Sequence, residues 1–157
     1  GLSKQLGISR NEAGQYIENY FKRYTGVKKY MEDMVVKAKK DGYVSTLFGR
    51  RRYLPDINNS NFNLRSFAER TAINTPIQGT AADVIKLAMI KVQKALVESG
   101  FKSRILLQVH DELVLEVCAG EKEQVAGIVK DIMEKTVDLS VPLLADVAYG
   151  NNWAETK

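Results

Sequence analysis

At 157 residues and 45% hydrophobic content, the chain is long enough to enclose a core and short enough to be one domain. Its formal charge of +4, from 23 basic and 19 acidic residues, is compatible with nucleic acid without demanding it. The lone cysteine, Cys118, excludes an internal disulfide and a cysteine-cluster zinc site and points to a reducing compartment, and no apolar run approaches the roughly 20 residues that span a bilayer. The sequence opens with neither an initiator Met nor a charged-then-apolar leader, so it reads as a piece of a longer protein.

Ser9 and Glu12 have the spacing of a capping box, in which each side chain satisfies an orphan amide of a helix's first turn. Ala13, Tyr16, Ile17, Tyr20, Phe21 and Tyr24 then fall on one helical face, and Gly26 is the expected terminator. A second stripe, Val27, Tyr30, Met31, Met34, Val35 and Ala38, runs to Gly42. Core packing is the simplest account of both stripes. "YVSTLF" and "RRRYLP" flank Gly49 as a β-hairpin closed by Pro55, and "NNSNFN" is a polar loop. From Leu64 to Ser99 the pattern is helical, with a kink or break expected at Pro76, which lacks an amide and crowds the preceding turn. After Gly100, residues 105–117 read as strand, turn, strand. A helix with Val125, Ile128, Val129, Ile132, Met133 and Val137 on one face follows, and residues 143–149 predict a last strand. This order predicts an α+β fold, mostly helical, with a β-hairpin and a small antiparallel sheet.

"ILLQVHDELVLEV", residues 105–117, sets the only histidine and two adjacent carboxylates between apolar flanks. Asp111 and Glu112 are either exposed turn residues, for which Asp is common, or a functional pair. The turn has no glycine, the usual mark of a tight hairpin. Carboxylate oxygens suit Mg²⁺, held by one or two carboxylates plus substrate phosphates, whereas His110 has no second histidine with which to build a transition-metal site. Two-metal phosphoryl transfer would need a further carboxylate from elsewhere.

"NTPIQGTAADVIKLAM", residues 74–89, sets Asn74 and Gln78 four apart, followed by small residues. It is either a tightly packed helix or, with Arg70, a set of donors for the minor groove, whose purine N3 and pyrimidine O2 acceptors vary little with sequence. Arg50, Arg51 and Arg52 form either a solvated face or a source of one or two phosphate contacts.

"GYVSTLFGRRRYLPDI", "RTAINTPIQGTAAD" and "QVHDELVLE", in this order, together with the ending "VAYGNNWAETK", resemble the C-terminal part of the bacterial family A DNA polymerases over nearly the whole chain. The resemblance implies fingers-side helices and hairpin in residues 1–57, and a palm portion in residues 58–157 carrying the catalytic hairpin. Asp111 would be one of two aspartates holding two Mg²⁺ ions, the other lying upstream of this chain, with Glu112 in a secondary catalytic role. His110 would sit near the primer end, Gln78, Asn74 and Arg70 along the duplex, and Arg52 would be a further DNA contact. The implied partners are primer–template DNA, deoxynucleoside triphosphates and the remainder of the polymerase, with no membrane, in the bacterial cytoplasm at the nucleoid. The segment alone would be inactive. The alternatives are a duplex-binding module that lost its chemistry, which has no need of paired acids, and a phosphohydrolase, which would need a full ligand set within the chain.

Overall fold

The computed structural model describes residues 1–156. It contains five α-helices and two separate antiparallel hairpins among the described residues, an α+β chain dominated by helix. Among the described residues no helix is long and apolar enough to cross a membrane. The chain forms two compact units, Gly1–Ile77 and the part from Gln78 onward.

The first unit begins with α1 (Leu2–Leu6) and α2 (Arg10–Arg23). The capping box forms as the spacing predicts: the Ser9 hydroxyl accepts from the Glu12 amide at 3.2 Å, and the Ser9 amide donates to the Glu12 carboxylate at 2.9 Å. Gly26 does not end this helix. Tyr24 caps it, and Gly26 lies in the first turn of α3 (Thr25–Asp41), where a glycine is tolerated because the first-turn amides have no helical acceptor. Gly42 does end α3, in the left-handed conformation at φ 77° that a glycine adopts without a side-chain clash.

Of the α2 stripe only Ala13 is buried and Phe21 half-buried, while Tyr16, Ile17, Tyr20 and Tyr24 remain exposed, contrary to the core-packing expectation. The periodicity is helical, but nothing in the unit covers that face. The α3 stripe packs in part, with Val27 exposed and Tyr30, Met31, Met34 and Val35 half-buried. Ala38 joins Val44, Leu54, Ile57, Ala68 and Ala72 in the unit's core. Strands β1 (Tyr43–Ser45) and β2 (Arg51–Tyr53) pair as Tyr43 with Tyr53, Val44 with Arg52 and Ser45 with Arg51. Because opposed residues share a face, buried Val44 places Tyr43, Tyr53 and Arg51 on the outward side.

The polar loop turns out to be a cap. The Asn61 side chain accepts from the amides of Asn63 and Leu64, at 2.9 and 3.4 Å, starting α4 (Phe62–Glu98). This helix runs through Pro76 without a break. Proline removes the amide that would bond the Ala72 carbonyl and carries a penalty of about 3 kcal/mol inside a helix. Burial of Ala68 and Ala72 in the core opposes that penalty, as does the Tyr30 hydroxyl, which donates to the neighbouring Ile73 carbonyl at 3.4 Å.

In the second unit, Val92 and Leu96 of α4 pack on Val125 and Val129 of α5 (Lys122–Glu134). Phe101, Ile105, Leu113, Leu115, Ile132 and Met133 close around them. Strands β3 (Arg104–Val109) and β4 (Glu112–Glu116) form the hairpin, and the predicted face of α5 packs inward from Val125 to Met133, while Val137 lies beyond the helix end at Glu134. The strand expected at 143–149 is absent among the described residues. A strand needs a ladder partner, and in this unit β3 and β4 pair only with each other. The segment is held otherwise: the Ala145 amide donates to the Glu134 carboxylate at 3.0 Å, and the Lys122 ammonium lies 4.1 Å over the Tyr149 ring.

Candidate functional site

The β3–β4 ladder is interrupted once. Ile105 pairs with Leu115, but Leu107 pairs with Val114, so Leu106 is an extra residue in β3. The bulge resets the alternation: Ile105, Leu113 and Leu115 face the core, while Leu107, Val109, Glu112 and Val114 face away from it. The outward side is therefore apolar as well, and Leu106 is 53% exposed. Apolar residues on both sides of a hairpin erase the period-two signal, which is why the flanks of the turn are apolar without alternation.

Val109 pairs with Glu112, leaving His110 and Asp111 as a two-residue turn. His110 has φ 52° and is the only non-glycine residue with positive φ among the described residues. A positive φ at the first loop residue but not the second is the pattern of a type II′ hairpin, which ordinarily puts glycine there. A bulky residue in that conformation stores strain of about 1–3 kcal/mol, and such strain is concentrated at functional sites. The Gln108 side-chain amide donates to the His110 carbonyl and fixes the turn from within. His110, Asp111 and Glu112 are all exposed.

The hairpin's base is clamped from the other end. The Glu121 carboxylate accepts from the Lys102 amide at 3.0 Å, and from the Ser103 amide and hydroxyl at 2.9 and 2.6 Å. The Ser103 hydroxyl in turn accepts from the Cys118 amide at 3.1 Å. The Lys102 amide and the Ser103 hydroxyl hold the Glu121 carboxyl below its ordinary pKa. No local pattern announces this clamp, because Glu121 and Ser103 stand eighteen residues apart in sequence. Across the outward face, Arg104 and Glu116 form an ion pair at 2.7 Å.

The remaining predicted residues divide between the units. Arg52, Arg70 and Asn74 belong to the first, and Gln78 to the second with His110, Asp111 and Glu112. Arg52, Arg70, Asn74 and Gln78 are all exposed. The Arg70 guanidinium donates to the Ser66 hydroxyl at 2.9 Å. Asn74 and Gln78 follow at four-residue intervals along α4, and neither side chain has a hydrogen-bond partner among the described residues. His110 and Asp111 on the turn and Glu112 at the start of β4 adjoin one another in the chain. Among the described residues no three His, Cys, Asp or Glu side chains converge on a common point. The exposed carboxylates of Asp111 and Glu112 are hard oxygen donors with open positions, a fit for a cation that keeps part of its water shell.

The sequence profile described as DNA polymerase family A matches residues 1–155. The chain is 57% identical over all 157 residues to a DNA polymerase I of Streptococcus pneumoniae, and 55% identical to that of Bacillus caldotenax, spanning 18% of the length of each. Among solved structures it resembles a POL domain from M. smegmatis in complex with DNA primer-template and dNTP. That match has a TM-score of 0.96 at 51% identity and covers 99% of this chain and 28% of the other.

Proposed function

The chain belongs to DNA polymerase family A, and on that premise we propose that it is part of a template-directed DNA polymerase of replication and repair. The reaction is in-line attack of a primer 3′-hydroxyl on the α-phosphate of a deoxynucleoside triphosphate, with pyrophosphate leaving. One observation carries this reading: a strained, glycine-free turn and the first residue of β4 present His110, Asp111 and Glu112 to solvent, on a hairpin whose base is clamped, in a chain the family matches over residues 1–155.

In this reading residues 1–57 are the fingers side and residues 58–157 belong to the palm. Asp111 would hold Mg²⁺, with Glu112 beside it in a secondary role. Two such ions lower the pKa of the attacking hydroxyl and neutralise charge on the leaving phosphates when bound. Their further carboxylate ligands come from a part of the polymerase outside this segment, because one hairpin offers too few. His110 lies beside the primer end. Arg70, Asn74 and Gln78 donate to the duplex, with the two amides directed at minor-groove acceptors shared by all correct pairs. Arg52 adds a phosphate contact. The whole enzyme works on primer–template DNA and deoxynucleoside triphosphates in the bacterial cytoplasm, at the nucleoid.

The test is primer extension by the intact polymerase carrying Asp111→Ala, measured beside its affinity for primer–template. Loss of extension with binding retained is the expected result. Normal extension would refute the catalytic role and leave duplex binding as the segment's function.

A further inference from the structure

The β1–β2 hairpin has a feature that the polymerase reading leaves unused. Its outward face carries Tyr43, Tyr53 and Arg51. The two rings are 5.8 Å apart at 57°, and the Arg51 guanidinium lies 4.6 Å over the ring of Tyr43. Tyr53 is 69% exposed, and Phe48 at the hairpin tip is exposed as well. A large ring left in water, as Tyr53 is, contributes little to the fold, whose core lies on the other side with Val44, while Tyr43 is half-buried.

Charge is concentrated in the same place. Residues 37–52 contain six basic side chains and one acidic one, Asp41, so this segment alone carries more net positive charge than the +4 of the whole chain. Lys39 is paired with Glu69 at 2.6 Å, and the excess is carried by Lys37, Lys40, Arg51 and Arg52. A basic surface interleaved with exposed aromatic rings complements a polyanion whose bases are unstacked. Duplex DNA would use the cations only, since its bases already stack on one another, whereas single-stranded DNA uses both.

We infer that this face binds unpaired DNA, the template strand ahead of the duplex, by stacking a base on Tyr53 while Arg51 and its basic neighbours hold the adjoining phosphates. The inference rests on the polymerase reading and names a contact that reading does not contain. The tilt between the rings prevents them from sandwiching a base, so Tyr53 offers one stacking surface. Arg51 is already oriented by Tyr43, which limits the entropy it loses on meeting a phosphate.

The experiment measures the affinity of the intact polymerase for two primer–templates that share one duplex, with a template overhang of one nucleotide or of about a dozen, the scale of single-strand sites. The wild-type enzyme should bind the long overhang more tightly. Tyr53→Ala and Arg51→Ala should each weaken binding to the long overhang by about fivefold or more, with less than about twofold change on the short one. Tyr53→Phe should retain the preference, because the ring and not the hydroxyl does the stacking. Thermal melting confirms that each variant is folded. Equal losses on both substrates, no loss on either, or a wild-type enzyme indifferent to overhang length would overturn the inference while leaving the polymerase reading standing. Failure of the wild-type enzyme to bind either substrate would overturn both.

Discussion

Val109 and Glu112 face each other across the β3–β4 ladder, so His110 and Asp111 make up the entire turn. Asp111 therefore stands at the outermost point of the hairpin, where a metal ligand would be open to substrate phosphates. In the intact polymerase, Asp111→Ala should lower kcat by at least about a thousandfold, roughly 4 kcal/mol of barrier. Duplex affinity should change little, because phosphate contacts elsewhere dominate it. Glu112→Ala should be milder. Steady-state kinetics and a binding titration on the same preparations check all three statements.

His110 carries the strain of the turn at φ 52°. Glycine occupies this conformation without a clash, so His110→Gly should leave the melting temperature unchanged or raise it. His110→Val should lower stability by about 1–2 kcal/mol, because a β-branched side chain is least tolerated there. If valine melts with the wild type, the turn is not strained.

Gln78 has no side-chain partner among the described residues, so packing gives its amide no use. A hydrogen bond made to a correct base pair and missed by a mismatch is worth about 1–1.5 kcal/mol, or roughly tenfold in rate. Gln78→Ala in the polymerase should slow extension from matched primers by about that factor, and slow it less from mismatched ones. Comparing kcat/KM for the two primers decides the matter. An unchanged ratio with a lowered melting temperature would return Gln78 to a packing role.

The 157-residue chain by itself should not extend a primer with Mg²⁺ and all four nucleotides present, since one hairpin supplies too few metal ligands. It should also self-associate through the uncovered Tyr16, Ile17, Tyr20 and Tyr24 face of α2 and the outward Leu106 and Leu107. Sedimentation gives the second answer, and primer extension the first.

Glu121 sets a pH dependence. Its carboxyl is held below the ordinary value of 4.5 by the Lys102 amide and the Ser103 hydroxyl and amide. A depressed carboxylate pKa stabilises the fold at and above the unfolded value, and that contribution fades as pH falls through the folded one. Thermal melting from neutral pH to well below 4.5 should show an acid decline, beginning near 4.5, that is shallower in Glu121→Gln, whose stability at neutral pH is already lower. Parallel pH curves for the two proteins would mean that the clamp contributes nothing.

Local rules read from the sequence survive where the partners are local. The Ser9–Glu12 box and the Gly42 terminator form as their spacing implies, because each involves one helical turn. Other expectations fail where a distant partner decides. The α2 stripe has the right period but no covering surface in its unit, and residues 143–149 have strand composition but no ladder to join. At Pro76 the break does not occur: the helix continues through it, with Ala72 and Ala68 buried in the core one and two turns earlier. The turn at His110 was legible as an oddity of composition, while its left-handed backbone and its clamp at Glu121 were not, since neither leaves a mark at fixed spacing.

Leu106 has a consequence for how the turn is aimed. Deleting it would keep every cross-strand pair from Ile105–Leu115 to Val109–Glu112, because it is the residue with no partner. What it adds is direction, since a bulge bends and twists its strand. From Leu106 to His110, where the turn begins, the arm is about 13 Å at roughly 3.3 Å per residue, so a change of about 10° in the bend swings the turn and the Asp111 carboxylate beyond it by about 2 Å. Catalytic geometry is sensitive to displacements of about 1 Å, worth on the order of a hundredfold in rate. The deletion should therefore give a protein that folds and melts nearly as before while its carboxylate points past the substrate.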